Sequence, residues 1–197
     1  MSNAAELISG FADPVRDSQQ VFRQLLDAMS RPGTIVTLEP LEVLEPLCSA
    51  TQALALALFD YETPVWLPSD LLAQSGAWQS IKFHTGCPVT ADPTQAVFAL
   101  LPGVAELPSL ECFSIGNEEY PDRSTTVIVQ VDSLTSGSGV TLNGPGIKDP
   151  VMLDATLFNA EFIEQWNRNH ALFPLGVDLL LTCGDQLAAL PRTVKLA

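Results

Sequence analysis

Five ionisable side chains hold most of the chemistry this sequence offers: Arg23, Asp60, His84, Asp178 and Arg192. His84, in the run Phe83-His84-Thr85, is the natural general base, because an imidazole can take or give a proton near neutral pH. Such a base needs a carboxylate to orient it and a nucleophile within reach; Asp60 and Asp178 are the carboxylates considered for that role. The plainer reading is a histidine bonded to neighbouring backbone. Arg23 and Arg192 carry planar forks of paired donors that suit an oxyanion, although Arg23 is equally a solvated charge on a helix surface. Asp178 interrupts the apolar run Val177 to Leu181. A lone buried carboxylate costs several kcal/mol, so Asp178 must be paired or face a cleft; the plainer reading is a strand-entry residue hydrogen-bonded to the preceding turn. Arg192, just past Pro191, is its most economical partner. These five are candidates for ligand or interface contacts, and no catalytic residue is assigned among them.

The motifs that would make a self-sufficient site are missing. Gly144-Pro145-Gly146 could aim backbone N–H groups at an anion. Yet neither GxGxxG nor GxxxxGK[ST] occurs, and proline removes one donor, so a structural turn is the simpler reading. There is no GxSxG elbow. His84 and His170 are the only histidines and belong to no HxxxH or HExxH pattern, so no metal site is read. Cys48, Cys87, Cys112 and Cys183 form no CxxC; four buried, free thiols are expected.

The elements that must position these residues follow from composition and pattern. The 197 residues are 47% hydrophobic and only 16% charged, with a mean hydropathy of +0.23. That is ample chain for one core, and so small a charged surface leaves room for a partner subunit. Nine Lys and Arg against 23 Asp and Glu give a net charge of −14. Nucleic acid and anionic membranes need clustered cations, and both are excluded as partners. No apolar run reaches the ~18 residues of a membrane span and no basic-then-apolar leader opens the chain, so a cytoplasmic protein is expected.

Residues 1–12 read as a flexible lead-in and 13–197 as a single domain. Asp13-Pro14 caps a helix whose packed face is Phe22, Leu25, Leu26 and Met29, and Arg31-Pro32-Gly33 stops it. Thr34 to Leu38 is a strand and Thr51 to Phe59 a buried helix. Pro64 to Leu67 is a strand, and Ser69 or Asp70 caps a short helix. Ile81 to Thr85 reads as a strand end carrying His84 into a loop. Ala96 to Leu101 and Ser124 to Leu134 are strands, and Ser136-Gly137-Ser138-Gly139 is a hairpin loop with Val140 to Leu142 returning. Asn159 caps a helix that buries Phe162, Ile163 and Trp166, and His170 ends it. Val177 to Leu181, turned at Gly184-Asp185, pairs with Gln186 to Leu190. Early alternation of helices and strands, with hairpins late, gives an α/β fold in layers around a mixed β-sheet.

Several segments, in order, resemble the PhnH subunit family of the bacterial carbon–phosphorus lyase system. They are Phe22-Arg23, Leu25-Leu26, Ala28-Met29-Ser30 and Pro32-Gly33; Thr63-Pro64-Val65-Trp66-Leu67; and Phe83-His84-Thr85. They continue with Leu142, Gly144 and Gly146-Ile147; Phe173-Pro174-Leu175-Gly176 with Asp178-Leu179 and Leu181-Thr182-Cys183-Gly184; and Pro191-Arg192-Thr193. Agreement is least over Ala105 to Arg123. The resemblance implies a layered α/β/α fold related to the PLP-dependent transferases but lacking the cofactor. It also implies a homodimer and association with PhnG-, PhnI- and PhnJ-type subunits in phosphonate catabolism. The complex so formed couples an alkylphosphonate to ATP with release of adenine, as a ribose 1-methylphosphonate 5-triphosphate synthase, and this chain is expected to be accessory rather than catalytic alone. A pyridoxal site needs a Schiff-base lysine with an acidic partner for the ring nitrogen, and Lys82, Lys148 and Lys195 stand in contexts that do not supply it. The alternative from the residues alone is a small hydrolase or transferase using His84 with a carboxylate.

Overall fold

The structure is a computed structural model that describes residues 10–68 and 73–197. Apolar runs too short for a helix must be shared among neighbouring strands, and most of them meet in one seven-stranded sheet. Its strands are β1 (Val36–Thr37), β2 (Val65–Trp66), β3 (Val89–Thr90), β4 (Phe98–Leu101), β5 (Thr126–Gln130), β8 (Asp178–Cys183) and β9 (Gln186–Leu190). The strands β6 (Leu134–Asn143), β7 (Val151–Ala155) and β10 (Lys195–Leu196) make a second, antiparallel sheet. Across the large sheet the order is β1-β9-β8-β5-β4-β2-β3. The five strands from β8 to β3 are parallel, and β9 and β1 close the other side antiparallel. The expected mixed α/β sheet is therefore present.

Among the described residues the helices are α1 (Pro14–Ser30), α2 (Ser49–Leu58), α3 (Gly76–Thr85) and α4 (Ala160–Ala171). The first three cover one face of the large sheet, where Leu25, Ala53, Leu54 and Ile81 meet Leu100, Ile128 and Leu180. The other face is covered by α4 together with the small sheet, where Trp166, Leu142 and Leu153 meet Val127, Val129, Leu179 and Leu181. Residues alternate sides along β5 and β8 with a period of two, and both sides are buried, as central strands require.

Several expectations are corrected. The run Ile81 to Thr85 is the end of α3, not a strand: Ser75 accepts a hydrogen bond from Trp78 N at 3.1 Å, and Gly86 closes the helix at φ +68°. Ala77, Trp78 and Ile81 make its buried face. Helix α1 starts at Asp13 as expected, but it is turned: Val21, Leu25 and Ala28 are buried, whereas Phe22 and Leu26 are 45% and 51% exposed. The small Val21 and Ala28 let α1 lie close against the alanine-rich α2. Ser136 to Gly139 is no hairpin loop. Strand β6 runs through it and pairs with β7, which the sequence reading did not anticipate; Ser136 and Val140 both face Leu153 across a bulge. Only Cys87 is a buried thiol; Cys48 and Cys183 are half-buried and Cys112 is exposed, and all four are free. The cap placed at Ser69 or Asp70 lies outside the described residues, as does the lead-in up to residue 9. Phe11, in the described part of that lead-in, packs on the core.

Candidate functional site

The hairpin β8–β9 brings Asp178 at its start to Arg192 just beyond its end. Asp178 Oδ1 accepts from Arg192 N at 2.7 Å and from Nε at 3.1 Å, and Oδ2 accepts from Nη2. Arg192 Nη1 donates to the carbonyls of Pro121 at 2.9 Å and Pro174 at 3.4 Å, and Nη2 also donates to Ser124 Oγ. Both side chains are only 13% exposed. The hydrogen bonds that the carboxylate needs to be buried are thus supplied, as expected from the sequence. Behind the pair, His170 Nδ1 lies 3.0 Å from Arg192 O, where donation by the ring requires the Nδ1–H tautomer. Asn169 is buried and clamps Val177 at both its N–H and its C=O, each at 2.9 Å.

This cluster stands at the amino end of the parallel strands, where Asp178 is in register with Thr126, Thr126 with Phe98, and Phe98 with Val65. Asp60 and His84 precede the amino ends of β2 and β3 in the chain. Asp60 follows α2 and accepts from Glu62 N at 2.8 Å in a tight turn. His84 is exposed on the last turn of α3, with Phe83 edge-on to it and Gly10 against its ring. Both oxygens of Asp178 are engaged by Arg192. Arg23 is exposed on α1.

At the carboxyl end of the same strands, where ligands of open α/β sheets commonly bind, the polar groups form a knot that the sequence reading missed. Gln130 Nε2 donates to the carbonyls of Pro46 and Pro102, each at 2.9 Å, and its Oε1 accepts from Cys48 N at the start of α2. Thr51 and Thr182 share a buried hydrogen bond of 2.7 Å between α2 and β8. Gln130 could have been singled out as the polar residue ending an otherwise apolar strand; the two threonines, 131 residues apart, carried no local signal. Both ends of the sheet are therefore tied by polar side chains that satisfy one another.

The sequence is similar to known proteins over nearly its whole length. The family described as bacterial phosphonate metabolism protein (PhnH) matches residues 9–197. The chain belongs to the PhnH family. A relative in Rhizobium meliloti (strain 1021), named alpha-D-ribose 1-methylphosphonate 5-triphosphate synthase subunit PhnH, is 42% identical over 198 residues, covering 100% of this chain and 98% of its own. A second, in Stutzerimonas stutzeri and named provisionally as the C-P lyase subunit protein HtxG, is 32% identical over 184 residues, covering 90% of this chain and 85% of its own. As a PhnH-family fold, the chain holds its Asp178–Arg192 pair between the β8–β9 hairpin and the turns at Pro121 and Pro174.

Proposed function

We infer that this chain is a subunit of a carbon–phosphorus lyase system, needed by the complex that couples an alkylphosphonate to ATP with release of adenine. Its role there is to assemble with the other subunits rather than to perform chemistry alone. The observation that carries this is the end-to-end match to a protein named as a synthase subunit. The geometry supports the accessory role: Asp178 and Arg192 engage each other. The proposed partners are PhnG-, PhnI- and PhnJ-type chains and a second copy of this one, in the cytoplasm, with residues 13–197 acting as one unit. A fold related to the PLP-dependent transferases without the cofactor belongs to the same reading; Lys82 on α3, Lys148 and Lys195 are each exposed and lie on separate elements. Of the five polar candidates, Arg23, Asp60 and His84 are the exposed ones.

The test is light-scattering mass of the chain alone and after co-expression with PhnG-, PhnI- and PhnJ-type chains, followed by adenine release from ATP and methylphosphonate. A homodimer alone, a mixed assembly on co-expression, and turnover that depends on adding this chain are expected. His84→Ala should leave both assembly and turnover in place. A chain that stays by itself among those partners would overturn the subunit role, and assembly without turnover in His84→Ala would overturn the accessory one.

A further inference from the structure

Helix α1 packs one side on the core and leaves an apolar stripe on the other. Val15, Phe22 and Leu26 are 70%, 45% and 51% exposed, and Gln19 between them is exposed as well. Single apolar residues at a surface need no reason, but these fall in register. The steps from residue 15 to 19, 22 and 26 are four, three and four, which is the spacing of a seam between two packed helices. In the seven-residue notation a to g, Val15 and Phe22 take d, and Gln19 and Leu26 take a. Arg16 and Arg23 then both take e, the position that flanks such a seam and carries its interhelical ion pairs.

Those two guanidinium groups are unspent. Among the described residues Arg31, Arg168 and Arg192 are paired with carboxylates, and Arg123 lies over the Tyr120 ring. Arg16 and Arg23 have no ion pair or ring contact there, and both are exposed. The acidic residues of α1 are engaged elsewhere on it. Asp13 accepts from Arg16 N, Asp17 accepts from Asp13 N, and Asp27 is held by Arg31. The net charge of −14 acts at long range, but charges beyond about 8 Å are screened at physiological salt, so the nearest ones decide the contact. On this side of α1 the nearest are basic.

The same pattern argues against a second copy of α1 as the occupant. In an antiparallel self-pair e faces e, which sets arginine against arginine; in a parallel one e faces g, here Ser18 and the buried Leu25. Neither supplies a carboxylate. A lipid surface fits less well, since the stripe carries a polar Gln19 and only two cations.

We propose that the exposed side of α1 docks an acidic amphipathic helix of another protein. Its apolar residues meet Val15, Phe22 and Leu26, and two carboxylates about 10 Å apart, one heptad along a helix, meet Arg16 and Arg23. Gln19 sets the register, as a polar residue within an apolar seam does.

The probe is a three-heptad synthetic peptide with Leu at a and d and Glu at e and g, whose glutamates keep it from pairing with itself at neutral pH. It carries fluorescein, and its anisotropy is followed as the full chain is added. Saturable binding is expected, and none from a scrambled peptide of the same composition. Arg16→Glu with Arg23→Glu should weaken binding at least about tenfold, and Phe22→Ser likewise. All three side chains are exposed, so the thermal midpoint should stay in place. Lys82→Glu with Lys148→Glu makes the same change of charge at exposed sites elsewhere and should leave binding unchanged. The proposal is overturned if the peptide does not saturate by about 1 mM, if the scrambled peptide binds equally, or if the two double variants have equal effects. Capture of the wild-type chain on phosphatidylserine vesicles, without peptide binding, would overturn it in favour of a lipid surface. The subunit role is separable. A chain that binds the peptide but fails to assemble with PhnG-, PhnI- and PhnJ-type chains would sink that role and keep this face; assembly without peptide binding would do the reverse.

Discussion

The guanidinium of Arg192 has five N–H groups, and each points at an acceptor of its own chain: Asp178 twice, Pro121, Pro174 and Ser124. An incoming anion would have to displace one of them, so the pair acts first as a latch between the hairpin and two loops. Arg192→Met leaves Asp178 buried without its partner and should lower stability by about 3–5 kcal/mol in urea unfolding, with part regained when Asp178→Leu is added. A loss below 1 kcal/mol would deny the latch. The Cys87 thiol gives a second test. Burial pushes its pKa above the ordinary 9.0, with Thr85 opposing. A raised folded value means that stability is full below pH 9.0 and falls as pH rises through the folded pKa, because unfolding then releases a proton. Stability should decline above pH 9 more steeply in the native chain than in Cys87→Ala. In the folded protein an alkylating agent should reach Cys112 but not Cys87. The Asp178–Arg192 pairing was legible in the sequence because a charge inside a short apolar run, followed by a hairpin, leaves few partners. The buried Gln24 Oε1, without a hydrogen-bond partner among the described residues, was not, since nothing local marks which amide atom will face away from its donor's acceptor.

At the level of elements, the caps were the reliable signals and alternation the misleading one. Asp13-Pro14 and Asn159 open their helices as read, with Asn159 Oδ1 accepting from Phe162 N at 2.8 Å. In α3 the pair Ile81 and Phe83 imitates a strand, yet Phe83 is 66% exposed and the buried set Ala77, Trp78 and Ile81 has helical spacing. Ser75 and Gly86 were the signs that outweigh it. The same contest shifted α1, where several apolar residues allow more than one buried face and contact with α2 selects Val21, Leu25 and Ala28. The turn after β6 shows how tightly elements can be joined. Gly146 has φ +81°, and a Cβ there would overlap the carbonyl oxygen of Ser30 at the end of α1. Gly146→Ala combines backbone strain with that overlap and should cost about 1–3 kcal/mol. Thermal unfolding reads it directly, and an unchanged midpoint would show that the turn and α1 are not coupled.

Among the described residues, the two faces of the large sheet are covered differently, by α1, α2 and α3 on one side and by α4 with a small sheet on the other. The mixed α/β class follows from the runs of Val and Leu at strand length. The small sheet does not, because β6 runs through exposed Thr135 to Gly139 without an apolar repeat, and the alternation of Val151, Leu153 and Ala155 in β7 is only five residues long. Outside these layers Val15, Phe22 and Leu26 remain exposed along one side of α1. Assembly with other subunits, measured as mass, is the property that belongs to this scale. With a net charge of −14, it should be quickest toward basic partner surfaces and slow as salt is added.

The order of the large sheet also bears on how the chain is made. Strand β8, laid down from residue 178, sits between β5 and β9, and the last parallel pairing of the sheet depends on it. During synthesis the earlier strands β2 to β5 thus leave the ribosome with the flank that β8 will occupy still open. A single open strand flank of apolar residues is prone to pair with the wrong chain. For this fold the exposed interval ends only once residues 178–183 have emerged and paired with β5.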